Sequence, residues 1–174
     1  MDKKRYCPFC GTPTEVKKED NHTYRYCPNC KRNLYDNPVP AVAIAVLDEN
    51  GKILLVKRGV EPGLGKWSLP GGYINLGETP HQACIRELYE ETNLRANNLK
   101  LVGVYNQESS IYDYVLLVGY LAYNVKGEAI AGDDAVDLGF FSPDDLPEIA
   151  FWSHRAIIEV VSGGTKEDQH NRLN

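Results

Sequence analysis

The chain has 174 residues, a formal net charge of −5 and an apolar fraction of 43%. This length and apolar content fit one ordinary domain with a small appendage, and they argue against a disordered chain. The acidic balance disfavours nucleic acid as a partner, because binding a phosphate backbone needs a basic patch. No apolar run approaches the roughly 18 residues of a membrane span, and the N-terminus lacks the apolar core of a secretory signal. We therefore expect a cytoplasmic protein with no membrane partner.

Two pairs of cysteines stand near the N-terminus. Cys7 and Cys10 form the first pair and Cys27 and Cys30 the second, with sixteen residues between the pairs. Thiolates at this spacing can reach one tetrahedral Zn²⁺. One alternative is a pair of disulfides, which the missing signal sequence disfavours. The other is a redox motif, which is disfavoured because the motif occurs twice. Because four thiolates leave no open position on the metal, we predict a structural zinc.

Residues 15–26, between the cysteine pairs, have the pattern of a β-hairpin with its turn at Asp20 and Asn21. His22 is the other potential metal ligand in this region, and we expect it to be an exposed turn residue. A unit of about 35 residues cannot bury enough apolar surface to fold alone. Structural zinc contributes on the order of 10–16 kcal/mol in small peptides. We therefore predict a zinc ribbon over residues 1–36.

The remainder is predicted to be a second domain over residues 37–164, followed by a polar tail over residues 165–174. Its first elements are a buried strand at 41–48, a hairpin turn at 49–51, the partner strand at 52–58, a glycine- and proline-rich loop at 59–72, and a helix at 79–92. Its later elements are strands at 101–107, 112–125 and 138–142 and a helix at 153–163. Thr79 and Pro80 fit the start of the first helix, as its cap and first-turn proline. This order predicts an α+β domain, or an α/β/α sandwich with a largely mixed sheet.

The helix at 79–92 carries two distinct faces. At about 100° per residue, the residues on the predicted core face are Ile85, Leu88, Tyr89 and Thr92. Glu87, Glu90 and Glu91 are adjacent on another face, and like charges at this spacing destabilise an isolated helix. A hard dication such as Mg²⁺ or Mn²⁺ would relieve that repulsion. Spacing alone leaves a metal site and an ordinary acidic face equally open.

The segment Gly71–Leu94, GGYINLGETPHQACIRELYEETNL, resembles the Nudix box of the Nudix hydrolases. Its glutamates, its arginine and the glycine at its start stand at the spacing of that family at every defined position except one. Where the family has glycine after the glutamate pair, this chain has Asn93. Asparagine is the non-glycine residue that best tolerates a left-handed helix cap, so we expect the same cap here.

The resemblance implies a fold and a chemistry. Nudix enzymes are α/β/α sandwiches in which the box forms a loop, a helix and a second loop. They hydrolyse a diphosphate that is linked to another moiety, usually a nucleoside. A diphosphate repels an attacking water, so Mg²⁺ or Mn²⁺ ions are needed to neutralise the diphosphate and to acidify the water. The implied protein is thus a metal-dependent pyrophosphohydrolase with a nucleotide substrate.

The resemblance also implies roles for individual residues. Glu90 and Glu91 would be the principal Mg²⁺ or Mn²⁺ ligands, and Glu87 would bind metal or act as general base. Arg86 would hold Glu87 by a charge-assisted hydrogen bond. Additional metal ligands would be Glu78, often through water, and the carbonyl of Gly71.

Residues outside the box also enter the expected site. Family members often carry a further carboxylate on a distant loop or strand, and the candidates here are Asp134, Asp137 and Glu108, each with a solvated loop acid as the alternative. Cys84 is expected to pack as a small apolar residue. The aromatic residues that could stack on a purine or flavin ring are Tyr73, Tyr105, Tyr112, Phe151 and Trp152, with ordinary packing as the alternative for each.

A zinc ribbon in front of a Nudix domain is similar to two branches of the family. NADH pyrophosphatases carry a signature beginning Ser-Gln-Pro-Trp after the box, and this chain has LKLVGVYNQESSIYDYV there instead. The likeness to the compact FAD/ADP-ribose pyrophosphatases runs through CPFCGTPT, YDNPVPAVAIAV and GKWSLPGGYINLGET. Many ADP-ribose hydrolases have a proline shortly after the box, but here none stands between Pro80 and Pro143.

The predicted function is therefore hydrolysis of a nucleoside-diphosphate-linked substrate such as FAD or ADP-ribose, releasing AMP and a monophosphate. The alternatives are an NADH or NAD pyrophosphatase and a non-catalytic zinc-ribbon/Nudix adaptor that binds nucleotide or RNA. The intact set of acids and the acidic pI argue against the adaptor. The sequence leaves open the preferred substrate, the general base and the oligomeric state, with a homodimer as one option.

Overall fold

The structure, a computed structural model, describes residues 4–20 and 22–163. The polar tail proposed for residues 165–174 and the turn residue Asn21 lie outside that part of the chain. The chain divides into two compact units, with the boundary between Asn37 and Pro38. In the part that the structure describes, no helix has the length and apolar character needed to cross a membrane.

The first unit contains a small antiparallel sheet. Its strands, in spatial order, are β1 (Glu15–Glu19), β2 (His22–Cys27) and β3 (Arg32–Leu34). Glu15 pairs with Tyr26 and Glu19 with His22, so the predicted hairpin is confirmed. His22 is exposed as expected, although it is the first residue of β2 rather than part of the turn. Strand β3 was not predicted, because three residues are too few to show an alternating pattern.

The second unit consists of two sheets and two helices. Its elements are β4 (Val39–Val46), β5 (Ile53–Arg58), β6 (Trp67–Ser68), α1 (Pro80–Thr92), β7 (Asn98–Ser109), β8 (Asp113–Tyr123), β9 (Ala135–Phe141) and α2 (Trp152–Ser162). One sheet has the order β4-β8-β7, with β4 parallel and β7 antiparallel to β8. The other has the order β6-β5-β9 and is antiparallel. The first sheet is therefore mixed, as predicted, and the second is purely antiparallel.

Strand β4 lies between the two helices. Its side chains alternate, so Ala41, Ala43 and Ala45 pack with Ile157 and Ile158 of α2. The even-numbered side chains of β4 pack instead with Ala83, Cys84 and Leu88 of α1: Val42, Ile44 and Val46. Burial on both faces explains why β4 is a nearly continuous apolar run. The predicted sandwich, with helices on both sides of a mixed sheet, is confirmed.

The predicted hairpin between residues 41–48 and 52–58 is wrong. A turn does form, because the Asp48 carboxylate accepts the backbone N–H groups of Asn50 and Lys52. Within the described residues, however, β4 and β5 share only the isolated bridge Leu47–Ile53. Strand β4 hydrogen-bonds to β8 and to the segment 70–74, whereas β5 pairs with β6 and β9. The competing partners are distant in sequence, so turn chemistry alone could not reveal them.

Helix α1 begins and ends as the sequence predicts. Thr79 and Gln82 form a capping box at its start. Asn93 adopts the left-handed conformation, with φ 58°, and its N–H bonds to the carbonyl of Tyr89, so the predicted cap is confirmed. The placement of Tyr89 on the core face is wrong. Tyr89 is exposed, and the Arg95 guanidinium lies 4.2 Å from its ring centre.

Candidate active site

Two adjacent glycines bring the loop before α1 close to both β4 and the helix. The loop runs along β4, where the N–H of Val42 donates to the Gly72 carbonyl at 2.9 Å. A Cβ on Gly71, which has φ +154°, would lie 2.1 Å from the Val42 carbonyl oxygen. A Cβ on Gly72 would lie 2.4 Å from a carboxylate oxygen of Glu87. Only glycine fits beside the β4 backbone at position 71, and a side chain at position 72 would displace the Glu87 carboxylate.

Arg86 joins the acidic residues of the segment into one cluster. Its Nε and Nη2 donate to the two Glu78 carboxylate oxygens at 2.7 and 2.9 Å. Its Nη1 donates to Glu87 at 2.7 Å and to Glu90 at 2.9 Å, and Nη2 also donates to the Tyr73 carbonyl at 3.0 Å. A guanidinium has five N–H donors, and all five have acceptors within the chain. Arg86 therefore orients the carboxylates and has no donor left for a ligand.

The carboxyl groups of the cluster differ in electrostatic environment. Hydrogen bonds from Arg86 lower the pKa of Glu78 to about 2. Burial raises the pKa of Glu91 to about 8, against the opposing effect of its bond from the Gly71 N–H at 2.8 Å. Burial likewise raises the pKa of Glu87, while Arg86 acts in the opposite direction. Two carboxyl groups, Glu87 and Glu91, are thus buried on α1, and for each the effect of burial on the pKa outweighs the opposing effect of a nearby arginine.

A cavity of about 460 Å³ opens over this cluster. Among the predicted site residues, those that line it are Gly71, Tyr73, Arg86, Glu87, Glu90 and Glu91. Glu78 is connected to the cavity through Arg86. Of the predicted distant acids, Glu108 and Asp134 line the cavity, whereas Asp137 lies on β9 opposite Lys57.

Of the aromatic residues predicted to stack on the substrate, only some line the cavity. Tyr73 lines the cavity, and Tyr112 packs edge-on against Tyr73 with ring centres 5.4 Å apart. Tyr105 and Trp152 pack against each other, with ring centres 6.1 Å apart, and neither is among the lining residues. Phe151 lines the cavity at the start of α2.

Several lining residues were not identified from the sequence. Arg58 at the end of β5, Asp133 before β9 and His154 on α2 all reach the cavity. Arg58 donates from Nε to the Pro62 carbonyl at 2.7 Å, and its guanidinium lies 5.1 Å from the Phe151 ring centre. Each belongs to a different element and to no short motif, so no spacing pattern could have identified them. Asp133 was missed although it adjoins Asp134, which the sequence did put forward.

The N-terminal cysteines form a second candidate site. The Sγ atoms of Cys7, Cys10, Cys27 and Cys30 all lie within 4.8 Å of one another, and in the described residues no other set of three or more His, Cys, Asp or Glu converges as closely. Cys7 and Cys30 are 3.9 Å apart, and Cys10 and Cys27 are 3.5 Å apart. Tetrahedral zinc with Zn–S bonds of about 2.3 Å needs sulfur separations of about 3.8 Å. This donor set fits zinc.

The fifth cysteine has a different environment. Cys84 is fully buried in the apolar cluster under α1, and burial raises the pKa of its thiol to about 12. A thiol with such a pKa stays protonated, so Cys84 behaves as a small apolar residue, as the sequence predicts.

Comparisons with known proteins agree with this geometry. Residues 37–160 match the model of the NUDIX domain family. An ADP-ribose pyrophosphatase of Methanocaldococcus jannaschii is 37% identical over 145 residues, covering 83% of this chain and 80% of that protein. The NAD-capped RNA hydrolase NudC of Pseudomonas aeruginosa is 29% identical over 146 residues, covering 83% of this chain but only 50% of that protein. This chain therefore spans about half the length of that relative.

A solved structure is also similar over nearly the whole chain. The crystal structure of a NUDIX hydrolase from Nitrosomonas europaea matches with a TM-score of 0.69 and 25% sequence identity. The match covers 96% of this chain and 93% of that one.

Proposed function

The chain belongs to the NUDIX domain family, and on that premise we propose that it is a metal-dependent hydrolase of nucleoside-diphosphate-linked substrates. ADP-ribose is the first candidate substrate and FAD the second, with AMP and a monophosphate as products. The 37% identity to an ADP-ribose pyrophosphatase, over most of both chains, supports this choice. A hydrolase domain over residues 37–164 would carry the activity.

The observation that carries the proposal is the set of acids held by Arg86 on one wall of the cavity. Carboxylate and carbonyl oxygens are the ligands that Mg²⁺ and Mn²⁺ prefer, so the donor set fits a hard dication. Glu87, Glu90 and Glu91 would bind the metal ions, with support from Glu78. The Gly71 carbonyl would add a ligand, since Gly71 lines the cavity and its N–H contacts Glu91.

Bound dications would neutralise the diphosphate and acidify the attacking water. The chain itself would orient the acids, because each donor of Arg86 is already engaged and the helix face is fixed by the glycine contacts. Arg58 would bind a phosphate oxygen, since its terminal nitrogens have no acceptor among the described residues. Glu87 would act as a metal ligand or as general base. Tyr73 would pack against the base or flavin ring at the cavity wall.

We also propose that the first 36 residues form a zinc ribbon. The four converging sulfurs support this assignment, together with their fit to a tetrahedral zinc site. With four thiolate ligands the zinc has no open position, so its contribution is to the stability of the unit rather than to catalysis.

The proposal is tested by the substitution Glu90→Gln. Glu90 is partly exposed at the cavity wall, and the amide keeps the shape of the side chain while removing its charge. We expect kcat for ADP-ribose with Mg²⁺ or Mn²⁺ to fall by about 100-fold or more, because a lost metal ligand raises the barrier directly. AMP release measures activity, and thermal melting checks the fold.

Glu159→Gln is the matched control, since Glu159 lies on α2 and is not a cavity residue. It should leave turnover unchanged. Wild-type turnover in a folded Glu90→Gln protein would refute the metal-site assignment. No cleavage of ADP-ribose, FAD or NADH by the wild-type protein would refute the proposed substrate class.

A second candidate function is hydrolysis of NAD or of NAD-linked RNA ends. The 29% identity to the NAD-capped RNA hydrolase NudC supports it, although only half of that relative is covered. Including NAD and an NAD-capped oligonucleotide in the substrate panel separates the two candidates by their relative kcat/KM.

A further inference from the structure

The amino end of α2 opens onto the cavity. Phe151, Ser153 and His154 all line the cavity. Phe151, the N-cap residue, makes no side-chain capping hydrogen bond. The Ser153 N–H and hydroxyl both donate to the Gln107 side-chain oxygen, at 3.4 and 2.9 Å. The partial positive charge of the helix N-terminus is therefore directed at the cavity, with the Gln107 oxygen as a distant acceptor for the Ser153 N–H.

His154 supplies a second and independent feature at this position. The side chain is only 7% exposed, and its Nδ1 accepts the backbone N–H of Leu69 at 3.1 Å. A neutral imidazole that accepts at Nδ1 carries its proton on Nε2. Nε2 has no hydrogen-bond partner in residues 4–20 and 22–163. His154 is thus a largely buried residue at the cavity whose Nε2 donor has no acceptor among the described residues.

The surroundings keep His154 neutral. Burial, assisted by the charge of Arg58, lowers the pKa of His154 to about 3. The ring cannot act as a general acid or base near neutral pH, because it does not change protonation there. It can only donate a hydrogen bond from Nε2.

The ligand that fits this corner is an anion. Arg58 influences His154 electrostatically, and both side chains pack against the Phe151 ring, at 5.1 Å in each case. The corner therefore combines a helix N-terminus, a neutral donor and a cation. All three favour an oxygen that carries negative charge. The box acids line the cavity as well and would repel the same anion unless metal ions covered them.

We infer that the amino end of α2 is a subsite for a phosphate group of the substrate, to which His154 donates a hydrogen bond from Nε2. The inference rests on the proposed function for its substrate class and adds a residue that binds the substrate directly. One phosphate of the diphosphate would bind here, while metal ions at the box acids would hold the other. The subsite would thereby fix which way the diphosphate lies in the cavity.

Two substitutions separate binding from support of the fold. In His154→Asn, the amide oxygen can replace Nδ1 as acceptor for the Leu69 N–H, but the donor toward the cavity is lost. In His154→Gln, the longer amide reaches the Nε2 position and keeps the donor, while the Leu69 N–H loses its acceptor. We expect the Asn variant to keep the wild-type melting temperature and the Gln variant to melt lower.

Kinetics with ADP-ribose should show the opposite order. Because the Asn variant lacks a hydrogen bond to a charged group, its kcat/KM should fall by about 10- to 100-fold, chiefly through a higher KM. The Gln variant should stay close to wild type. Wild-type KM in the Asn variant would overturn the inference, as would losses in both variants that simply follow their melting temperatures.

A binding measurement tests the subsite without relying on turnover. The protein is labelled with ¹⁵N-histidine, the His154 resonances are assigned by their absence in the Asn variant, and His22 in the first unit is the internal control. AMP and ribose 5-phosphate are titrated in the presence of Mg²⁺ and compared with adenosine and ribose, which lack the phosphate. We expect the Nε2 resonance to move with a phosphate-bearing ligand and to stay fixed with the neutral ones.

The outcomes distinguish the two proposals. A shift with AMP or ribose 5-phosphate alone supports the subsite even if no diphosphate in the panel is hydrolysed, in which case the proposed function fails by itself. An equal shift with adenosine, or no shift with either phosphate, overturns the subsite. The same spectra report the tautomer, and an Nδ1–H ring would also overturn it.

Discussion

At the scale of single residues, the environment sets the charge of each group around the cavity. Glu78 and Glu91 are the same residue type on one continuous segment, yet the pKa of the first is about 2 and that of the second about 8. Arg86 accounts for the first value and burial for the second. A buried carboxyl group with a strongly raised pKa is a typical feature of a functional site.

His154 gives a residue-scale prediction for stability. Its folded pKa of about 3 lies below the usual value of about 6.5 in an unfolded chain. The unfolded state therefore binds the proton first, and the stability that comes from keeping His154 neutral is complete above pH 6.5 and is lost as the pH falls toward 3. Relative to His154→Asn, the wild-type free energy of unfolding should fall by about 1.4 kcal/mol per pH unit in that window.

Urea denaturation of both proteins between pH 8 and pH 5 measures this difference. Comparing the two proteins removes the opposing contribution of Glu91, whose raised pKa favours the fold as the pH falls from about 8. A difference between the two proteins that does not change with pH would contradict the neutral, buried state of His154.

At the scale of secondary-structure elements, the ends of α1 were predictable because their signals are local. Thr79, Pro80 and Gln82 stand within one turn of each other, and Asn93 follows the last helical residue. The left-handed cap at Asn93 is reinforced by a bond from its side-chain nitrogen to the Glu128 carbonyl at 3.2 Å. The β4–β5 connection was not predictable in the same way, because a well-formed turn does not decide which strands pair.

The cap gives an element-scale prediction. Asn93→Ala should lower the free energy of unfolding by about 1–2 kcal/mol, because alanine tolerates the left-handed conformation poorly and loses the side-chain bond. Asn93→Gly should stay nearer to wild type, since relief of backbone strain offsets the lost bond. Urea denaturation followed by circular dichroism measures both variants. Equal stability of the Ala and Gly variants would argue against the cap as the origin of the effect.

At the scale of the whole molecule, the two units differ in the size of their apolar cores. The second unit buries two apolar clusters, on either side of β4. Among the described residues of the first unit, the buried apolar ones are two cysteines, Cys7 and Cys27, and Leu34. Such a small core cannot offset the conformational entropy of a folded chain, so we expect the metal to hold the first unit together.

Zinc removal tests this expectation. Chelation, or the substitution Cys27→Ser, should unfold the first unit and leave the second folded. The four converging sulfurs provide the reason, because the metal would replace a missing core. Cys84→Ala is the matched control and should keep its zinc. Zinc content by atomic absorption and proteolysis of the first unit provide the two readouts, and protection of that unit after verified metal loss would refute the structural role.

The sequence by itself determined the features whose signals lie close together in the chain. The cysteine spacing, the hairpin between the cysteine pairs, both ends of α1 and the arrangement of Glu87, Glu90 and Glu91 on one helix face all follow from local geometry. Helix periodicity and chelate spacing act over a few residues, so these predictions needed no knowledge of the fold.

Only the tertiary structure decided the rest of the site. Arg58, Asp133 and His154 come from three separate elements, and long-range strand pairing and helix packing bring them to one cavity. The same packing buries Glu87 and Glu91 and raises the pKa of each, which the sequence cannot specify. Burial and charge proximity are properties of the folded chain as a whole. For that reason the acids could be predicted from a motif, whereas Arg58 and His154 could not.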